Sequence, residues 1–166
     1  MKTFGFCVAA ILIALFQVGF VSALPYPWNA LNVLLCGVIF LGIVFDYRSG
    51  ILFAFTAGFA WDIYHGSFFG GYAVALLVTL IVLHAVFENV FTNRSLFTLM
   101  ALGAAGTLLF NILFALIHFS VFSEIAGVGF FVFFGYQFFL NLLCLIAAFF
   151  IVHVTSKKFQ SIFLSR

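Results

Sequence analysis

The sequence predicts an all-α fold, a polytopic bundle of about six helices that span a lipid bilayer. Of the 166 residues, 67% are apolar and only 6% are charged, whereas a soluble domain carries about 25% charged residues. The apolar residues form continuous runs rather than the alternating pattern of a transmembrane barrel. In hydrocarbon, such a run satisfies its backbone hydrogen bonds by forming a helix. We therefore expect a single integral-membrane domain over residues 1–166, in contact with membrane lipid.

Polar, glycine-rich and proline-rich segments divide the chain into the predicted spans. The first break contains Pro25 and Pro27, which end a helix because proline lacks a backbone N–H. The predicted helices cover residues 4–23, 29–46, 50–64, 70–87, 96–119 and 129–154. The third is only about 22 Å long at 1.5 Å per residue, short of the ~30 Å hydrocarbon core. A re-entrant hairpin is therefore the alternative to a crossing at residues 50–64.

The basic residues predict the orientation of the bundle. Short cytoplasmic loops retain Lys and Arg. With the N-terminus inside and a full crossing by every helix, all six basic residues fall on the cytoplasmic side: Lys2, Arg48, Arg94, Lys157, Lys158 and Arg166. A re-entrant third segment would place Arg94 outside, so the charge pattern favours a short crossing, with Tyr47 and His65 extending its ends. Both termini are then expected in the cytoplasm.

The N-terminal segment has a second interpretation as a signal peptide. Lys2 precedes an apolar stretch that ends in small residues at Val21-Ser22-Ala23, which is typical of a cleavage site. The stretch is longer than the usual ~7–15 apolar residues of a signal peptide, so retention as a first helix is favoured. Cleavage would leave five helices and an outside N-terminus.

Four amide residues lie six or more residues from the outer ends of the predicted spans. Gln17, Asn111 and Gln137 fall in the outer half of the bundle, and Asn141 lies about one turn deeper than Gln137. Intramembrane amides usually face the bundle interior, because lipid offers them no hydrogen-bond partner. This intramembrane polar cluster is interpreted first as a set of interhelical hydrogen bonds, and second as an outward-facing polar pocket.

Asp62 is the acidic residue that lies within a predicted span rather than in or beside a loop. One interpretation is an interfacial carboxylate that caps the glycine-rich loop or pairs with His65. The other is a buried polar anchor for packing or for partner binding. The sequence leaves both open.

Nothing in the sequence favours an enzyme, a cofactor or a nucleic-acid site. The net charge is only +2, and no catalytic triad, phosphate-binding loop or pair of carboxylates is visible. His84 and Glu88 stand at i,i+4, which is half of a metal site. No second pair accompanies them, so a local contact is favoured over a metal. The three cysteines lack a CxxC spacing and are expected to be free.

Residues 28–97 resemble the MreD family of rod shape-determining proteins of the bacterial inner membrane. The resemblance rests on Pro27-Trp28 before the second helix, a polar turn at residues 46–50, a polar exit at Asn93-Arg94, and a spaced motif. That motif, which we interpret as a packing and partner-binding element, consists of Gly58, Asp62, Gly66, Ser67 and Gly70. The last 65 residues match in hydropathy alone.

The resemblance implies a non-enzymatic scaffold without a cofactor. It would act in the complex that builds the lateral wall, with a single-span MreC-like partner, the cytoplasmic filament and the peptidoglycan synthesis machinery. The family is also thought to share its fold with the S components of energy-coupling-factor transporters. An S-type substrate-binding subunit is therefore the alternative, in which Ala10 and Ala14 of the first helix would dock an energising module.

Overall fold

The computed structural model describes residues 2–65, 70–90, 95–117 and 128–163, which form helices joined by short turns. The predicted all-α class is confirmed. Within these ranges the α-helices are α1 (Lys2–Gly19), α2 (Val33–Phe40), α3 (Tyr47–His65), α4 (Gly71–Val90), α5 (Leu96–Ile117) and α6 (Val128–Phe163).

The connection between α1 and α2 is longer and less regular than predicted. The expected helices 4–23 and 29–46 are wrong at this junction, because α1 ends at Gly19 and α2 begins at Val33. Between them lie two 3₁₀ turns, Val21–Ala23 and Trp28–Ala30, and then an extended Leu31. Proline on either side of Tyr26 disfavours a helix over a wider stretch than the two proline positions themselves.

The polar turn predicted at residues 46–50 is wrong, because it is mostly the first turn of α3. A π-helix, Leu41–Phe45, extends α2 as far as Asp46. Helix α3 starts immediately afterwards, and the Gly50 N–H donates to the Asp46 carbonyl at 3.1 Å. Helix α3 therefore has 19 residues, or about 28 Å at 1.5 Å per residue. It is one continuous helix rather than a re-entrant hairpin.

The remaining helices differ from the prediction mainly at their ends. Helix α4 runs to Val90 rather than to residue 87. Helix α5 begins at Leu96 as predicted, and its described part ends at Ile117, so residues 118–119 of the prediction lie outside the described residues. Helix α6 continues past residue 154 to Phe163. The hydrophobic pattern predicts only the apolar part of a helix, so it did not predict the more polar extension of α6.

In the part of the chain that the structure describes, three helical segments are long and apolar enough to cross a bilayer: Gly71–Val90, Leu96–Ile117 and Phe131–Val154. Two shorter apolar helical segments are Cys7–Ala23 and Val33–Phe45. Side chains with relative exposure of 60% at Leu12, 65% at Leu116 and 76% at Phe131 are typical of a surface that contacts lipid. The count of six crossings stays a prediction.

Helix α2 lies at the centre of the bundle, where it contacts α1, α3, α4, α5 and α6. Helix α3 packs chiefly against α1 and α4, and α5 packs against α4 and α6. The bundle has two ends that differ in character. At the cavity end, α1, α3 and α5 finish and α2, α4 and α6 begin. At the opposite end lie the π-helix, the start of α3 and the end of α4.

Candidate functional site

Gln17 satisfies the backbone of the irregular junction at the cavity end. Its Nε2 donates to the Leu31 carbonyl at 2.9 Å, and its Oε1 accepts from the Val33 N–H at 2.8 Å. The side chain is only 4% exposed. Leu31 is extended, so these backbone groups lack helical partners, and in hydrocarbon they need a side chain in their place. The Gln17 amide therefore fastens the end of α1 to the start of α2.

Asn32 is a second junction residue, one that our sequence analysis did not single out. Its Oδ1 accepts from the Leu35 N–H at 3.0 Å, which caps α2, and from the Tyr72 hydroxyl at 2.9 Å. Its own N–H donates to Asn141 Oδ1 at 2.9 Å. An Asn that directly precedes an apolar helix is a sequence signal for an N-cap, and that signal was available here.

Asn141 carries the network into α5 and α6. Its Nδ2 donates to the Thr107 hydroxyl at 3.3 Å, and that hydroxyl donates to the Gly103 carbonyl at 2.9 Å. Asn141 is 1% exposed. Through Asn32, the chain of bonds connects α2, α4, α5 and α6, so both polar groups of the Asn141 side chain are engaged in interhelical contacts.

Asp62 caps the start of α4. Its carboxylate oxygens accept from the Tyr72 N–H at 3.1 Å and from the Ala73 N–H at 3.2 Å, and the residue is 1% exposed. A carboxylate is favourable at a helix N-terminus, where the backbone N–H groups lack partners and the helix dipole is positive. His65 instead stacks on Trp61 with ring centroids 4.1 Å apart. The geometry is that of a buried anchor rather than of an Asp62–His65 pair.

The structure explains why glycine occupies two positions of the spaced motif. A Cβ on Gly58 would collide with the backbone of Ala73 in α4, so this glycine lets α3 and α4 approach closely. Gly70 has φ +92°, a conformation that glycine adopts without strain. Gly66 and Ser67 lie outside the described residues.

A cavity of about 400 Å³ opens at the cavity end, within the size range of small-molecule sites. It brings together Gln17, Asn111 and Gln137 of the predicted polar cluster, whereas Asn141 does not line it. Its described lining consists of five amides, six aromatic residues and three small or aliphatic residues: Gln17, Asn29, Asn32, Asn111, Gln137, Trp61, Tyr72, Phe110, Phe114, Phe133, Phe134, Ala30, Leu31 and Gly129. None of these carries a formal charge at neutral pH.

The amides of the cavity wall are not equivalent. Gln17 and Asn32 are bonded to backbone groups, whereas Gln137 Oε1 and Asn29 Oδ1 are buried without a hydrogen-bond partner. Gln137 is 6% exposed. A buried amide oxygen without a partner is unfavourable, so both of these oxygens are available to a bound molecule.

A comparison with known families identifies the chain. The family model of the rod shape-determining protein MreD matches residues 2–159. The chain belongs to the MreD family. Comparison with curated proteins and with solved structures gives no match. The family match extends well beyond the 28–97 resemblance and includes α5 and most of α6, so the cavity lies within the MreD-like part of the chain.

The opposite end of this MreD-family chain has a different chemistry. His84 Nε2 lies 3.2 Å from Glu88 Oε1, and the His84 ring stacks on Tyr47 with ring centroids 4.0 Å apart. Among the described residues, no group of three or more His, Cys, Asp or Glu is placed to hold a metal. The stack of His84 on Tyr47 joins the end of α4 to the start of α3.

Proposed function

We propose that this chain is a non-enzymatic scaffold subunit of the bacterial complex that elongates the lateral wall. In this proposal it couples a single-span MreC-like periplasmic shape protein to the cytoplasmic filament and to peptidoglycan synthesis. The family match over residues 2–159 carries the proposal. A scaffold role also agrees with the polar contacts at the cavity end, since Gln17, Asn32 and Asp62 all serve to fix backbone positions.

The proposal includes an orientation in the inner membrane. Six crossings would place the cavity end toward the periplasm and both termini in the cytoplasm. The exposed Arg48 at the start of α3 lies at the opposite end, in agreement with the preference of cytoplasmic loops for basic residues. An impermeant maleimide should label Ser22→Cys in intact spheroplasts and should label Arg48→Cys only after lysis. Labelling of Arg48→Cys in intact spheroplasts contradicts the orientation.

A groove on the lateral surface of the bundle fits the proposed binding of a single-span partner. It has a volume of about 500 Å³ and runs between α1 and α3. Its lining is almost wholly apolar: Ile11, Leu15, Phe55, Thr56, Phe59, Ala60, Ile63 and Tyr64. At this depth the occupant must itself be apolar, and a single transmembrane helix of an MreC-like partner meets that requirement. Without a partner, lipid would fill the groove.

Photocrosslinking tests the groove. A benzoyl-phenylalanine that replaces Phe55, which is 50% exposed in the groove, should form a crosslink to the single-span partner. The same photoreactive residue at Leu116, which is 65% exposed on α5, serves as the matched control and should crosslink to lipid only. Equal protein crosslinking at the two positions, or none at either, removes the groove from the proposal.

The function itself is tested by depletion in the native host. We expect depleted cells to become wider and rounder, and to lose insertion of new wall material along the cylinder. Microscopy of cell width and of labelled wall insertion measures both. Unchanged cell shape after depletion contradicts the proposal, and loss of uptake of a vitamin or metal would favour the transporter alternative.

The transporter alternative has little structural support. Its docking element, the small residues Ala10 and Ala14, is 0% and 2% exposed and belongs to the hydrophobic core of the bundle. Helix α1 packs chiefly against α3. A pair that is buried inside the bundle does not offer a surface for an energising module. The cavity is the feature that this alternative explains, and a scaffold with a ligand site explains it equally well.

A further inference from the structure

The cavity contains hydrogen-bonding capacity that the fold does not use. Gln17, Asn32 and Asn141 are bonded to backbone groups or to one another. Gln137 sits in the same end of the bundle, is 6% exposed and lines the cavity, yet its Oε1 has no partner. Asn29 Oδ1 is a second buried oxygen without a partner in the same wall. Both oxygens are acceptors, so a fitting molecule must supply O–H or N–H donors on more than one side.

The charge of the wall excludes most ionic molecules. No described lining residue is a Lys, Arg, His, Asp or Glu. Asp62 is nearby, but both of its oxygens are engaged by the backbone of α4. A phosphate, carboxylate or ammonium group in this cavity would lose water without gaining a counter-charge, which is strongly unfavourable. The molecule that fits is therefore uncharged.

Aromatic rings form the apolar part of the wall. Trp61 stacks on Tyr72 with ring centroids 5.1 Å apart, and Phe110 and Phe114 meet Tyr72 edge to face. Flat aromatic faces pack well against a ring that presents C–H groups on its face. A ring with an apolar face and hydroxyl groups around its rim satisfies the aromatic wall and the two free oxygens together.

We propose that this cavity binds an uncharged, hydroxyl-bearing ring of the sugar class, with Gln137 and Asn29 as acceptors and the Trp61 side of the wall as the stacking surface. Two kinds of molecule carry such a ring: a free sugar, and a lipid of the outer leaflet with a sugar headgroup. Both present the same chemistry to the cavity. They differ in whether an attached acyl chain is required.

Tryptophan fluorescence gives a local readout, because the chain has only Trp28 and Trp61. Trp28 is 55% exposed and does not line the cavity, so Trp28→Phe leaves Trp61 as the reporter. The full chain is purified in a detergent without a sugar headgroup and reconstituted in phosphatidylethanolamine–phosphatidylglycerol vesicles. It is then titrated with methyl β-glucoside or N-acetylglucosamine, or prepared with increasing monoglucosyl diacylglycerol. Glucose 6-phosphate and plain diacylglycerol are the controls.

We expect a saturable change of Trp61 fluorescence with a neutral sugar, with the glycolipid or with both, and at least tenfold weaker binding of glucose 6-phosphate. Gln137→Leu should weaken binding about tenfold through the lost hydrogen bond. Phe114→Leu, which removes an aromatic face, should also weaken it. Asn89→Leu is the matched control: its amide is exposed at the opposite end, and its removal should leave binding unchanged.

The fluorescence responses test the proposal and also distinguish a free sugar from a lipid headgroup. A response to free sugar identifies a soluble ligand, and a response to the glycolipid alone identifies a lipid headgroup. Three results overturn the proposal: no saturable response to any sugar probe, a response that plain diacylglycerol reproduces, or sugar binding that is unchanged in both Gln137→Leu and Phe114→Leu.

Discussion

The two ends of the bundle are held together by different interactions. At the cavity end the chain leaves regular helix between Gly19 and Val33, and side chains such as Gln17 and Asn32 bind the freed backbone groups. At the opposite end a single extended residue, Asp46, separates the π-helix from α3. Backbone bonds cover this transition: the Asp46 N–H donates to the Leu41 carbonyl at 3.0 Å, and the Gly50 N–H donates to the Asp46 carbonyl at 3.1 Å.

This difference explains where intramembrane polar residues are needed. In hydrocarbon, every backbone N–H and C=O requires a partner. A regular helix supplies it internally, and an irregular segment must obtain it from side chains. At the cavity end, Gln17, Asn32 and Asn141 therefore have a structural role, whereas Asn29 and Gln137 carry buried oxygens without a partner. Gln137 is buried as deeply as its neighbours without serving the backbone, and this is why it is the residue we assign to a ligand.

The largest expected effect separates these two kinds of amide. Gln17→Leu leaves the Leu31 carbonyl and the Val33 N–H without partners, and each should cost about 1–3 kcal/mol of the free energy of unfolding. Gln137→Leu is the matched substitution at similar burial, and it removes an oxygen that already lacks a partner. We expect it to change stability by less than about 1 kcal/mol.

Unfolding by titration with sodium dodecyl sulfate in mixed micelles measures both variants. A loss of stability for Gln137→Leu as large as that for Gln17→Leu would mean that the two amides do the same structural work. The division of the cavity wall into structural and free amides would then be wrong.

Asp62 provides the next test at the cavity end. Asp62→Leu removes both acceptors from the first turn of α4, and we expect a loss of about 2–3 kcal/mol. Asp62→Asn keeps one acceptor and a similar shape, so its loss should be about 1 kcal/mol. The same titration compares the two variants. Equal losses for Asn and Leu would show that the negative charge, rather than the hydrogen-bonding geometry, stabilises α4.

Part of this molecule was predictable from its sequence. Apolar runs of about 20 residues predict helices because a bilayer leaves the backbone few alternatives, and the predicted bounds of α4 and the predicted start of α5 were close. The start of α3 followed from the bilayer thickness instead, because an apolar run of about 22 Å must be extended to Tyr47 to cross. Tyr47 and Arg48 are polar, and a pattern that seeks apolar residues reads them as a turn, although a helix terminus outside the hydrocarbon accepts them readily.

The depth of the candidate-site residues in the bundle was predictable, but their hydrogen-bond partners were not. Distance from the helix ends was enough to place Gln17, Asn111 and Gln137 in one layer. It did not reveal which amide serves the backbone, because that depends on Leu31 being extended. It also did not reveal that Asn141 bonds to Asn32, since the facing of α2 and α6 follows from packing rather than from hydropathy.

At the opposite end, the expected sensitivity is steric rather than polar. A Cβ on Gly50 would lie 2.8 Å from the Gly42 Cα and 3.1 Å from the Leu80 side chain. Gly50→Ala should therefore lower the free energy of unfolding by about 1–2 kcal/mol through overpacking. Gly135→Ala in α6 is the control, because a Cβ there meets nothing within 4 Å. A tolerated Gly50→Ala would show that this junction has room to adjust.

The smallest expected effect concerns the His84–Glu88 contact at that end. Glu88 is 66% exposed at its side chain and lies 3.2 Å from His84, and exposed pairs of this kind contribute little because water and salt screen them. Glu88→Gln should change the free energy of unfolding by less than about 0.5 kcal/mol. It makes the same chemical change, carboxylate to amide, as Asp62→Asn, so the two variants compare the ends directly. A loss at Glu88 that matches the loss at Asp62 would mean that polar contacts hold both ends of the bundle, and the contrast between them would fail.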